Sequence, residues 1–168
     1  LGGDECPPKP DFSKGYVWAL YDTYDTFKAN DDGSGIVRLT HEKGYDAEAT
    51  ISPKGDKIVF TSTRDSDIEL YSMNLDGSDV KRLTHEIGYD GGAYYSYDGT
   101  KIIYRASRPK TDGEIKEFKD LLAEGLVRPH ALDLYIMDSD GSNKVRITNN
   151  NGAANLDRKS VVWGKILD

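Results

Sequence analysis

Tyr71-Ser72-Met73-Asn74-Leu75-Asp76-Gly77-Ser78, followed by Arg82-Leu83-Thr84-His85-Glu86 and Gly88-Tyr89-Asp90, decides the fold, because a near copy stands 44 residues earlier. There the chain reads Phe27-Lys28-Ala29-Asn30-Asp31-Asp32-Gly33-Ser34, then Arg38-Leu39-Thr40-His41-Glu42 and Gly44-Tyr45-Asp46. At the same shift Ala49, Ser52, Gly55, Lys57 and Ile58 fall on Ala93, Ser96, Gly99, Lys101 and Ile102. A third copy, Tyr135-Ile136-Met137-Asp138-Ser139-Asp140-Gly141-Ser142, lies 64 residues after the second, so one unit carries an insertion of 20 residues. Self-similarity at a fixed period marks a repeat architecture.

Each copy has the pattern of strands and hairpins. Ile58-Val59-Phe60 and Ile102-Ile103-Tyr104 are runs of β-formers that follow glycine-containing turns. Ile68-Glu69-Leu70-Tyr71 and Leu132-Asp133-Leu134-Tyr135 alternate as half-buried strands do. The Asp-Gly-Ser steps at Asp32, Asp76 and Asp140 supply a glycine for positive φ and an Asp that bonds back to its own backbone, the chemistry of a tight turn. Ser52-Pro53-Lys54-Gly55 and Ser96-Tyr97-Asp98-Gly99 do the same one hairpin earlier. Four strands in roughly 40–50 residues is the size of one β-propeller blade.

The insertion differs in kind. From Thr111 to Ala123, Ile115, Phe118, Leu121 and Leu122 share one helical face. Thr111 with Glu114 spells a capping box and Gly125 stands at the C′ position. The expectation is a short amphipathic helix inside an insertion at about 109–130, between two strands of the second blade. It either lies on the rim or presents a docking element.

Charge and cysteine content narrow the function classes. The 168 residues carry 22 Lys+Arg against 29 Asp+Glu, a net charge of −7, which opposes nucleic acid as a partner. One cysteine, Cys6, rules out a disulfide framework and a cysteine-based zinc site. Asp4-Glu5 before it do not suit a lipidated cysteine, and Cys6-Pro7-Pro8-Lys9-Pro10 reads as an extended lead-in over 1–15. No stretch approaches a transmembrane span. After Asn155 the repeat pattern fades, so 156–168 is expected to be a divergent or non-native tail.

The pieces Ser52-Pro53-Lys54-Gly55-Asp56-Lys57-Ile58-Val59-Phe60-Thr61-Ser62, Glu69 through Ser78 and Arg82-Leu83-Thr84 resemble the PD40 repeats of TolB-like (WD40-like) β-propellers, over about residues 16–155. Tyr97 departs from the family's turn proline, which only presets φ there. The resemblance implies an all-β chain of four-stranded antiparallel blades. It further implies a periplasmic or extracellular bacterial interaction platform, with a protein or surface polymer as partner. Without its insertion the repeat region holds about 2.7 blades, while a closed propeller has four or more. A ring or filament in which incomplete propellers complete one another is therefore a second reading. A gating propeller fragment of a prolyl-oligopeptidase-like hydrolase is a third.

Catalytic motifs fail on their own chemistry. His41-Glu42-Lys43-Gly44-Tyr45 and His85-Glu86-Ile87-Gly88-Tyr89 begin like the zincin motif but carry Tyr for the second His and a helix-weakening Gly. Asp138-Ser139-Asp140-Gly141-Ser142-Asn143 begins like a calcium loop, yet its twelfth position is Asn149. No G-x-S-x-G elbow occurs, and His41, His85 and His130 lie in no triad context. No catalytic residue, metal or cofactor is expected. The candidate binding residues are the repeated polar positions at the expected channel mouth: His41, Glu42, Tyr45, Asp46, Glu48, His85, Glu86, Tyr89 and Asp90. Tyr45 and Tyr89 are expected to pack between blades. Arg64 and Arg108, repeated after the second strand, are expected to pair with acids of the following turn or strand, such as Asp67 or Glu69.

Overall fold

The computed structural model describes residues 12–149; residues 1–11 of the lead-in and the tail 156–168 lie outside them. Phe12–Lys14 form a 3-10 turn, so the lead-in is not extended to its end at 15. Twelve strands and one helix follow in this region. Strands β4 (Asp46–Ile51), β5 (Lys57–Ser62), β6 (Glu69–Asn74) and β7 (Lys81–Arg82) make one antiparallel four-stranded sheet in that order. β8 (Asp90–Tyr95), β9 (Lys101–Ala106), β11 (Asp133–Asp138) and β12 (Val145–Arg146) repeat it as a second blade. The pair β2 (Phe27–Lys28) and β3 (Val37–Arg38) corresponds to the outer half of a preceding blade.

The blades stack face to face, with β8 packed on β4, β5 and β6. Between them lies a core of Val59, Leu70, Leu83, Tyr95, Ile102, Tyr104 and Met137. Leu39, which follows β3, packs with Ile58, Phe60, Tyr71 and Met73 on the other face of the first blade. The turns pack as well. Gly77 has φ 86°, and a Cβ there would stand 2.7 Å from the Leu39 carbonyl oxygen; Gly141, φ 89°, repeats this 2.9 Å from the Leu83 oxygen.

The step that closes the units, Arg-Leu-Thr in the first two and Arg-Ile-Thr in the third, is tied into the blades by its arginine and threonine throughout and by its leucine in the first two. Arg38, Arg82 and Arg146 each pair with the acid that opens or precedes the third strand, Asp25, Glu69 and Asp133. Leu39 and Leu83 enter the cores. The Thr40, Thr84 and Thr148 hydroxyls each accept, at 2.9 Å, the backbone N–H of Thr26, Leu70 and Leu134, closing the short outer strand onto its neighbour.

Helix α1 (Asp112–Ala123) has Thr111 as N-cap, with the reciprocal Thr111–Glu114 capping box in place, and Gly125 follows at φ 70°. The insertion does not stand free of the blades. Its return strand β10 (Leu126–Val127) pairs with β1 (Trp18–Ala19). Phe118, Leu122, Trp18 and Leu20 then pack on Ile68, Tyr89, Val127 and Leu132.

Candidate functional site

The connections entering β4 and β8 carry the residues singled out by the repeat, and the structure divides them. His41, Glu42, His85 and Glu86 are exposed on the loops. Asp46, Tyr89 and Asp90 are buried in the blades and present no open binding group. Asp46 takes both carboxylate oxygens to the Arg64 guanidinium, at 3.1 and 3.0 Å. Arg108 donates to Asp90 at 2.6 Å. The arginines thus pair backward to the first residue of their blade, not forward to Asp67 or Glu69; the sheet register sets Asp46 beside Ser62 and Asp90 beside Ala106, next to the arginines. Arg64 also lies 4.9 Å from the Tyr71 ring centroid and 5.2 Å from that of Phe60. Burial pushes the Asp90 carboxyl well above its ordinary range, against the opposing pull of Arg108.

Glu48 and Tyr89 are brought together across the two blades. β4 bulges between Ala47 and Thr50, and β8 bulges between Gly91 and Tyr94. At the bulge the second blade has Gly92 at φ 57°, while the first has Glu48 at φ 54°, a left-handed conformation that a side chain adopts only at a cost. The Glu48 carboxylate compensates. Its Oε2 accepts from the Gly92 N–H at 2.8 Å, the Tyr89 hydroxyl at 3.0 Å and the Thr61 hydroxyl at 3.1 Å. Its Oε1 accepts from Arg105 Nη2 at 2.9 Å. Arg105 also donates to the Tyr89 hydroxyl and lies against Trp18, 5.5 Å from the ring centroid. Trp18 meets Tyr89 edge to face at 5.9 Å. Burial, then Glu48, raises the Tyr89 hydroxyl above its ordinary range.

Tyr45 is half-buried and stacks on Tyr24 at 5.8 Å, and Tyr24 continues to Tyr21 at 5.1 Å. This tyrosine run borders the His41-Glu42 loop, and burial with Glu48 nearby lifts the Tyr45 hydroxyl to about 12. Sequence reasoning missed Arg105, Trp18, Tyr21 and Tyr24. Trp18, Tyr21 and Tyr24 precede the first repeat copy, and Arg105 replaces Thr61 at the repeat shift, so a search for repeated residues passes over all of them. A charged Arg within the apolar run Ile102-Ile103-Tyr104 was the available signal. Among the described residues no group of three or more His, Cys, Asp or Glu side chains gathers as a metal site.

Residues 17–123 match the model of the TolB β-propeller domain, PD40, which is more than half of the chain. The protein belongs to the TolB β-propeller family. Among solved structures it is similar to a putative TolB from Agrobacterium tumefaciens, with a TM-score of 0.61 and 22% identity over 83% of this chain and 47% of that one. TolB from Acinetobacter baumannii gives 0.56 and 21%, over 74% of this chain and 26% of that one. At these identities the likeness is one of fold, and the chain spans about half or less of either protein's length. No curated protein sequence matches it. No helix among the described residues is long and apolar enough to cross a membrane.

Proposed function

We propose that this propeller region is a non-enzymatic binding scaffold of an exported bacterial protein, engaging a protein or surface polymer in the periplasm or outside the cell. The observation that carries this is the exposed loop His41-Glu42 beside the stacked Tyr21, Tyr24 and Tyr45. Large rings with a polar tip give contact area at low entropic cost, and partners favour them. In a closed propeller the first strand of each blade faces the central channel, which sets these loops, with His85-Glu86, at its mouth. The test is capture from a bacterial periplasmic extract by the native chain and by a Tyr24→Ala/His41→Ala/His85→Ala variant of equal melting temperature. A partner held by the first and lost by the second supports the site; equal retention refutes it.

The outer faces favour a second reading, completion by further copies in a ring or filament. Phe27 is 49% exposed where its counterpart Tyr71 is 3%, and Ile147 is 44% exposed where Leu83 is 3%. Gly33, in the turn equivalent to those of Gly77 and Gly141, has no described residue within 4 Å of where a Cβ would stand. Light scattering on the 168-residue chain decides, since a stable monomer at high concentration contradicts self-completion.

A further inference from the structure

The two blades differ at one place where the first supplies a carboxylate to itself. There Asp65 Oδ2 accepts the Tyr71 hydroxyl and lies 3.4 Å from Arg82 Nη1, while Arg82 Nη2 bonds Glu69 at 2.8 Å. Tyr135 and Arg146 are the counterparts of Tyr71 and Arg82 in the second blade, and Asp133 takes the place of Glu69. Asp65 has no counterpart. Proline stands at that position by either repeat shift, Pro109 before the insertion and Pro129 after it.

The place is open. A cavity of about 290 Å³ lies between α1 and the second blade, and Arg108, Pro109, Tyr135 and Arg146 line it. Lys110 and His130 add basic character, and Phe118 with Leu121 form an apolar wall. The acids on its wall are already engaged: Glu114 caps the helix, Glu117 bonds Arg128 Nε at 3.0 Å, and Asp133 pairs with Arg146. The Arg108 guanidinium lies 5.4 Å from the Tyr135 centroid, so the ring face is held from one side.

We propose that this cavity binds the carboxylate of an external ligand, which takes the position Asp65 occupies in the first blade. Tyr135 Oη and Arg146 donate to it, and the apolar wall takes the ligand's hydrophobic body. An arginine and a phenol converging on one point form a strong carboxylate cradle. The volume suits one terminal amino-acid residue, which makes the fitting ligand class a peptide C-terminus with an apolar side chain. The inference is independent of the loop site proposed above.

The probe is N-acetyl-L-phenylalanine, titrated into the full chain and followed by heteronuclear NMR, with N-acetyl-L-phenylalaninamide as the uncharged counterpart. Saturable shifts are expected at Tyr135 and the Arg146 side chain with a Kd on the order of 1 mM, and none with the amide. Pro109→Asp restores the internal carboxylate and is expected to bind the acid at least tenfold more weakly than Pro109→Asn, which has the same shape without the charge. Tyr135→Phe is expected to weaken binding several-fold. Equal binding of acid and amide, no shifts at these residues, or equal affinity of the two Pro109 variants would overturn the assignment.

Discussion

Replacing Glu48 by glycine sets backbone strain against the electrostatic latch between the blades. At φ 54° Glu48 occupies a conformation that its counterpart Gly92 takes without a Cβ, so the substitution relieves about 1 kcal/mol. The loss is larger. The carboxylate accepts four hydrogen bonds, three from neutral donors and one from Arg105, whose side chain is only 10% exposed. Hydrogen bonds to a charged group contribute roughly 1.5–3 kcal/mol each, and orphaning a fully buried ion costs about 3–5 kcal/mol. Glu48 is itself 29% exposed, so water enters the vacated space and screening reduces the total. A net destabilisation of about 3 kcal/mol remains, or roughly 6–12 °C in Tm for a chain of this size. Urea unfolding of the native chain, Glu48→Gly, Arg105→Met and the double variant measures both the loss and the coupling. Glu48→Gly as stable as the native chain would mean that strain outweighs the latch, and the reasoning fails.

Three further outcomes follow from the same geometry. Arg64→Ala removes the bidentate partner of buried Asp46 and the cover of Phe60 and Tyr71, so calorimetry should show a loss of about 3–4 kcal/mol, and a loss under 1 would contradict the pairing. Gly77→Ala and Gly33→Ala share the left-handed turn, but only the first brings a Cβ against a neighbouring carbonyl. The first should cost about 2 kcal/mol more than the second by chemical unfolding, and equal costs would deny the inter-blade contact. Burial pushes the Asp67 carboxyl up to about 6. Between pH 4 and 6 its unfolded form sheds the proton that the folded form keeps, so its contribution to stability falls as pH rises through that window. With Asp67 half-exposed, screening holds the drop to about 1 kcal/mol, and Asp67→Asn should flatten this part of the stability–pH curve.

Most of the fold was legible because the repeat states it twice. The turn glycines, the hairpin spacing and the Arg-Leu-Thr closure are local chemistry, and a shift of 44 aligns them without three-dimensional information. The capping box of α1 is equally local. The pairing of Arg64 with Asp46 was not legible in this way. Eighteen residues separate the two, and only the β4–β5 register brings them together. The packing of the insertion on Tyr89 is more remote still, since it depends on β10 finding β1 more than a hundred residues away. For the candidate site, repetition was a guide of limited use. It found the residues of the buried Arg64–Asp46 and Arg108–Asp90 pairs and the exposed histidines alike, because blade packing and ligand binding both keep a residue in register, and it passed over Arg105.

Where the copies disagree, the distinction returns. A residue that only holds the blade framework together should recur with the period, as Arg38, Arg82 and Arg146 do with their acids. Three departures cannot be packing requirements of the repeat: Glu48 where the next copy has Gly92, proline where Asp65 stood, and the 20-residue insertion. The structure links them. The insertion packs on Tyr89, Tyr89 donates to Glu48, and the insertion also roofs the cavity that Pro109 opens beside Tyr135. One strained carboxylate, one absent carboxylate and one added helix thus converge on the same end of the second blade. Periodic packing alone would erase such differences, so their convergence sets that end of the second blade apart from the repeat.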